Sequence, residues 1–298
     1  MKQYLAHIAL FLVALFYAAN YTVAKEVMPT YVPPFGFILL RVVFAVSVFW
    51  LLFAAFRGER MERKDLGRAA LAGLLGVALN QLLFFKGLNW TYPIHASLLM
   101  TTTPILVLIA GAIILKERIT LTKVLGIAIG AAGAILLLVN TKAPAGASAS
   151  NMLLGDFLVF LNATSYAGYL VVVKPLMQKY SPLTVVRWVF TFGLLYVLPF
   201  GLPDMRVIDW DFPVQIWYAI AFVLVFVTVA VYLLNGYALG RISASVVSTY
   251  IYLQPLLAAL IAVLAGRDEL TLIAVVSGAL IFVGVFLASR KPKPVADE

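Results

Sequence analysis

Asn162, Ser165, Tyr166 and Tyr169 recur at i, i+3, i+4 and i+7 within an apolar run. That spacing puts four hydrogen-bonding side chains on one face of a helix. It returns at Ser245, Ser248, Thr249 and Tyr252, with Gln254 just before Pro255. Other apolar runs carry Tyr17, Asn20 and Tyr21; Asn80 and Gln81; Ser97 and Thr101 ahead of Pro104; and Tyr232 with Asn235. All of these groups are neutral. The chain has no cysteine, and its two histidines, His7 and His95, lie far apart. No Asp or Glu stands in the middle of an apolar run. An activated nucleophile or a metal set is therefore missing, and no catalytic residue, metal or cofactor is expected. Amides and phenols in an oily setting can instead hold a small polar solute.

Polar groups inside membrane helices are costly and face the protein interior or a watery cavity. The substrate-binding candidates are Tyr17, Asn20, Asn80, Gln81, Thr101, Asn162, Tyr166, Tyr169, Asn235, Tyr252 and Gln254. The competing role for hydroxyls is glue between helices, which suits Ser97, Ser245 and Ser248. Tyrosines at span ends, such as Tyr4, Tyr31 and Tyr218, belong to the interfacial belt. Phe84, Trp90 and Tyr250 are weaker aromatic candidates. Lys86, near the end of the third run, is the most intrusive charge; it either snorkels outward or meets an anionic group.

The elements that position these residues follow from composition. Of 298 residues, 63% are hydrophobic and 12% charged, with a mean hydropathy of +1.02. Soluble domains carry about 25% charged residues, so the chain reads as an all-α polytopic membrane protein. Its apolar runs give ten spans near 4–24, 35–56, 69–88, 93–115, 121–140, 153–173, 183–202, 214–237, 243–265 and 270–289. The first run is longer than a signal-peptide core and is read as a retained span. The net charge of +9 fits basic loops at a bilayer surface better than nucleic acid. With the N-terminus in the cytoplasm, sixteen Lys/Arg fall on that side and six on the other, Arg41 and Lys86 being counted among the six. Both termini are thus expected to be cytoplasmic.

"NTKAPAGASASN" (140–151) is small, polar and breaker-rich, and reads as a linker. It divides a first repeat (4–140) from a second (153–289), with the linker over 141–152 and a tail over 290–298. "HASLLMTTTPILVLIAGAIILKERIT" (95–120) lies over "VVSTYIYLQPLLAALIAVLAGRDELT" (246–271) at a shift of 151. Pro104 meets Pro255, Glu117 meets Asp268 and Thr120 meets Thr271. "FYAANYTVAK" (16–25) lies over "SYAGYLVVVK" (165–174) at a shift of 149, so Tyr17 meets Tyr166. Arg41 and Arg187 match only loosely. Five spans per half is an odd number, so the halves must be inverted repeats. Sites in such folds lie near the midplane, beside interrupted helices. Pro104 and Pro255 are the expected helix breaks. The first, third, fourth, sixth, eighth and ninth spans should line the cavity, with the fifth and tenth outside it. Gly126, Gly130, Gly133, Gly278 and Gly284 permit close helix approach; packing within one chain is favoured, and monomer and dimer both stay open.

These repeats, the "FYAANY" first span and the glycine-punctuated "GIAIGAAGAILLL" and "SGALIFVGVFLA" resemble the EamA family of the drug/metabolite transporter superfamily. The resemblance covers residues 5–289. It implies ten spans and a secondary transporter of a bacterial-type inner membrane, with a small-molecule substrate and the lipid bilayer as partners. It also implies export of amino acids, other metabolites or drug-like compounds. Joined to the neutral polar faces, the expected function is export of a small neutral or zwitterionic metabolite by alternating access. A carrier of drug-like compounds or of sugar or phosphate esters is the alternative; esters would want several mid-span cations. A non-transporting structural membrane protein is the alternative of a different class.

Overall fold

The structure is a computed structural model, and it describes residues 2–56, 59–88, 90–91, 96, 99–140, 151–264 and 271–290. Ser97, His95, Asp268, linker residues 141–150 and tail residues 291–298 lie outside the described residues, as does the side chain of Tyr21. Among the described residues the chain is helical, without strands.

Ten helical units follow in order: α1 (Lys2–Val27), α2 (Pro34–Phe56), α3 (Arg63–Leu88), α4 (Thr103–Ile114), α5 (Leu121–Val139), α6 (Met152–Lys179), α7 (Pro182–Met205), α8 (Val214–Leu239), α9 (residues 244–264) and α10 (Leu272–Ser289). All except α4 are long and apolar enough to cross a bilayer; α4 is a shorter apolar helix. Their starts are written locally. Thr120 accepts from the Lys123 N–H at the head of α5, and Thr271 accepts from the Ala274 N–H at the head of α10. Ser181 and Ser243 cap α7 and α9 in the same way. Such caps satisfy backbone donors that the helix leaves open.

The packing is closed under exchange of the two halves. α5 lies on α10 and α2 lies on α7. α3 packs on α6 as α8 packs on α1, and α4 meets α6 as α9 meets α1. A helix and its counterpart five spans on run in opposite directions through the bilayer, so the pseudo-twofold axis lies in the membrane plane. The protein is two inverted five-helix repeats.

Two pairs of interruptions obey the same symmetry. α3 carries a π-helical stretch at Leu74–Leu79, and α8 carries one at Val223–Ala230, 149 residues on. The second pair is formed by the breaks before the prolines. Thr102 N–H bonds to Leu99 O just before α4, and a 3-10 turn at Tyr250–Tyr252 divides α9. Pro104 therefore stands in the first turn of its helix, where its missing N–H would have no partner anyway. Pro255 stands in the first turn after the 3-10 segment.

α5 and α10 stay outside the centre. A Cβ on Gly284 would lie 2.5 Å from Gly130 N, and one on Gly126 would lie 2.4 Å from Ala288 N. The glycine run thus brings the last helices of the two repeats into backbone contact within one chain.

Candidate substrate cavity

A cavity of about 160 Å³ lies where the interrupted helices converge. Tyr17 and Asn20 of α1 and Asn80, Gln81, Phe84 and Phe85 of α3 form part of its wall. Asn162 and Tyr166 of α6 and Tyr232 of α8 form another part. Met100, Ile251 and Gln254 enter from the two breaks. Met100 and Ile251 are 151 residues apart and Tyr17 and Tyr166 are 149 apart, so the pseudo-twofold axis passes through the cavity.

Side chains from neighbouring helices hold the π-helical stretch of α3 in place. Ser165 donates to Leu75 O at 2.7 Å, Tyr232 donates to Gly76 O at 3.0 Å, and the Asn162 amide donates to Asn80 O. A π-turn leaves carbonyls out of the regular ladder, and in lipid each must find a partner. The polar stripe of α6 is therefore partly a brace for α3. The oxygens of Asn20, Gln81 and Asn162 and the Gln81 amide nitrogen are buried without a protein partner.

The candidates from sequence divide in two. Tyr17, Asn20, Asn80, Gln81, Asn162, Tyr166 and Gln254 line the cavity. Thr101, Tyr169, Asn235 and Tyr252 stand behind it. Tyr252 donates to Thr101 O at 3.1 Å, and these residues are 151 apart in sequence. That bond ties the two breaks together across the axis. Tyr169 is stacked on Tyr166 at 5.9 Å between ring centroids and is packed over Gly76, where a Cβ would come within 2.2 Å of its ring. Asn235 of α8 lies near the Tyr166 hydroxyl. These four residues position the wall that the others present.

One residue type was missed. Arg41 of α2 is 8% exposed and lines the cavity, so the second span joins the six that sequence reading assigned. Its Nε donates to Thr228 Oγ1 at 3.0 Å, and Thr228 in turn donates to Val223 O at 2.9 Å. Lys86, by contrast, is exposed, with its Nζ 4.9 Å from the centroid of the Trp90 ring. Arg187 is not the partner of Arg41 in the second repeat. Its guanidinium lies over the rings of Trp50 and Phe53, at 4.5 and 3.4 Å. A single arginine seven residues into α2 resembles a loop charge, because no polar neighbour accompanies it. Its place inside an apolar run was the available signal.

A second cavity, of about 530 Å³, opens at the end of the bundle that carries the N-terminus. Glu117, Lys123, Lys174 and His7 line it. Glu117 accepts from Ala244 N–H and Ser245 Oγ, each at 3.0 Å, and pairs with Lys123 at 3.5 Å and Lys174 at 3.6 Å. His7 Nδ1 lies 2.7 Å from the Tyr250 hydroxyl, which makes Tyr250 a residue of this end rather than of the central cavity. Among the described residues no group of acids and histidines could hold a metal ion.

Comparison with known proteins agrees with this architecture. Residues 4–139 and 153–290 each match the model of the EamA-like transporter family. The chain belongs to that family. An uncharacterized transporter of Bacillus subtilis, YyaM, is 26% identical over 98% of this chain and 97% of its own length. An uncharacterized transporter of Archaeoglobus fulgidus is 29% identical over 95% and 98%. A probable terminal-alkyne amino-acid exporter of Streptantibioticus cattleyicolor is 28% identical over 78% and 76%. A chain of known crystal structure shares the fold, with a TM-score of 0.77 over 95% of this chain and 96% of that one, at 21% identity. This EamA-family protein is thus a multi-pass membrane transporter.

Proposed function

We propose that this EamA-family chain exports a small neutral or zwitterionic metabolite, of amino-acid size, by alternating access. The observation that carries the reading is the central cavity, built from matched residues of two inverted halves and lined with amides and phenols. An apolar cavity of about 150 Å³ accepts benzene. A space of about 160 Å³ therefore suits a solute of about six to eight non-hydrogen atoms, below the size of most drug-like compounds. Sugar phosphates are disfavoured by the charge inventory: among the described residues Arg41 is the one cation lining the cavity. The relative named as a probable terminal-alkyne amino-acid exporter supports the same solute class.

The direct experiment is counterflow in proteoliposomes. The purified protein is reconstituted and loaded in turn with amino acids, sugars, sugar phosphates and cationic drugs. Accumulation of labelled amino acid against the loaded solute is the expected result. Accumulation of sugar phosphates or cationic drugs alone would overturn the assignment of cargo; absence of flux for every class would overturn transport of this kind.

The same reading places the chain in a bacterial-type inner membrane with both termini in the cytoplasm, on the sixteen-to-six Lys/Arg asymmetry. A reporter active only in the cytoplasm, fused after Glu298, should be active. A fusion active only on the outer side would reverse the orientation.

A further inference from the structure

We propose that the cargo carries a carboxylate held by Arg41 and an ammonium group held by the amide oxygens of Asn20, Gln81 and Asn162. This rests on the transport reading and narrows it from neutral or zwitterionic solutes to α-amino acids.

Arginine stays protonated in proteins and offers five N–H donors in a planar fork. Among the described residues only the Nε donor is engaged, by Thr228. Thr228 is itself anchored to Val223 O in the π-helical stretch of α8, so the guanidinium is held in a set orientation with its Nη donors free. Among the described residues no carboxylate pairs with Arg41; the ion pairs lie elsewhere, around Glu62, Asp65 and Glu117. An uncompensated cation within the membrane is costly, and a carboxylate can meet both Nη groups in a bidentate pair. The described residues that line the cavity include no acid to do this, which leaves the cargo as the source of the anion.

The rest of the lining complements an amino acid. The Asn162 amide nitrogen is committed to Asn80 O, so its oxygen is the end left over. The oxygens of Asn20 and Gln81 are likewise buried without a protein partner. Three amide oxygens can accept the three N–H donors of an ammonium group without bringing a fixed negative charge. Phe84, Met100 and Ile251 supply an apolar wall for a small side chain.

The test compares wild-type protein with Arg41→Gln and Arg41→Lys in proteoliposomes. The probes are L-alanine, L-valine and L-threonine, each beside its carboxamide and its decarboxylated amine. In the wild type, at least one amino acid should exchange, and its carboxamide and amine should do so about tenfold or more weakly, as expected for loss of a bond to a charged group. Arg41→Gln should lower exchange of the amino acid by a similar factor and largely abolish the preference over the carboxamide. Arg41→Lys should restore part of it. Carboxamides exchanged as well as the parent acids by wild-type protein would overturn the proposal without any variant having to fold. So would an undiminished preference in monodisperse Arg41→Gln. Exchange of solutes that lack a carboxylate, with no exchange of amino acids, would sink the Arg41 assignment and leave transport standing. No exchange of any solute would sink both.

Discussion

Tyr166 shows how a residue legible in sequence acquires a sharper role in three dimensions. Its match to Tyr17 and its place on a polar helical face marked it for a cavity, and its ring lines one. Its support was illegible. Tyr169 is stacked beside it and Asn235 lies near its hydroxyl, and both had looked like cavity residues because periodicity reports a face but not which residue is outermost on it. Arg41 is the converse case, since a lone charge near a helix start carries no periodic pattern at all. Tyr166→Phe keeps the stacked ring and removes the hydroxyl. Losing one hydrogen bond to the solute should cost roughly 0.5–1.5 kcal/mol, or about three- to tenfold in transport, with the protein still inserted and monodisperse. Asn235→Ala should add little on that background if Asn235 acts through the hydroxyl, because substitutions at neighbouring, coupled residues are not additive. Full-rate transport by both Tyr166→Phe and Tyr166→Ala would remove Tyr166 from the site.

Among the elements, apolar runs predict where most helices lie, because length in lipid is a local demand. The interruptions were only half legible. Pro104 and Pro255 announced breaks, yet the prolines start helices rather than kink them. Nothing in "LLGVAL" or "VLVFVTVA" announces a π-helix. The α3 segment is held because Ser165 and Tyr232, on neighbouring helices, donate to its displaced carbonyls, and the α8 segment is held by its own Thr228, which donates to Val223 O. Such π-segments are frequent at functional sites, and both border this cavity. The α5–α10 contact makes a quantitative prediction. Gly284→Ala would press a methyl group to 2.5 Å from Gly130 N, and backbone on both sides cannot swing away. Overpacking of this kind costs about 1–3 kcal/mol, so thermal unfolding in detergent should fall by several degrees. Gly67→Ala, where a Cβ meets nothing within 4 Å, should leave it unchanged. Equal melting of both variants would mean that the two helices separate easily.

At the scale of the whole molecule, the inverted repeat was readable from odd span count and the 151-residue echo, because topology in a bilayer follows from counting. Which groups bind the halves together was not readable, since those contacts join residues more than a hundred positions apart. The cluster around Glu117 is the clearest of them: it ties the loop after α4 to α5 and, in the other repeat, to α6 and α9. Burial alone would push the Glu117 carboxyl up, but the Ala244 N–H, Lys174, Lys123 and the Ser245 hydroxyl outweigh it and hold the carboxyl below its ordinary value of 4.5. A carboxyl in that state binds its proton less readily in the folded protein than in the unfolded chain. Its contribution to stability is complete above about pH 4.5 and is lost as the pH falls through the lower folded value. Glu117→Gln can keep the hydrogen bonds from Ala244 and Ser245 while removing the charge that neutralises Lys123 and Lys174. The variant should melt lower than wild type at pH 7, and the gap should narrow as both are taken below pH 4.5, where wild type loses the same charge. Melting curves in detergent from pH 7 to pH 3.5 measure this directly. A gap that stays constant across that range would show that the carboxylate's charge contributes nothing to holding the two repeats together at this end.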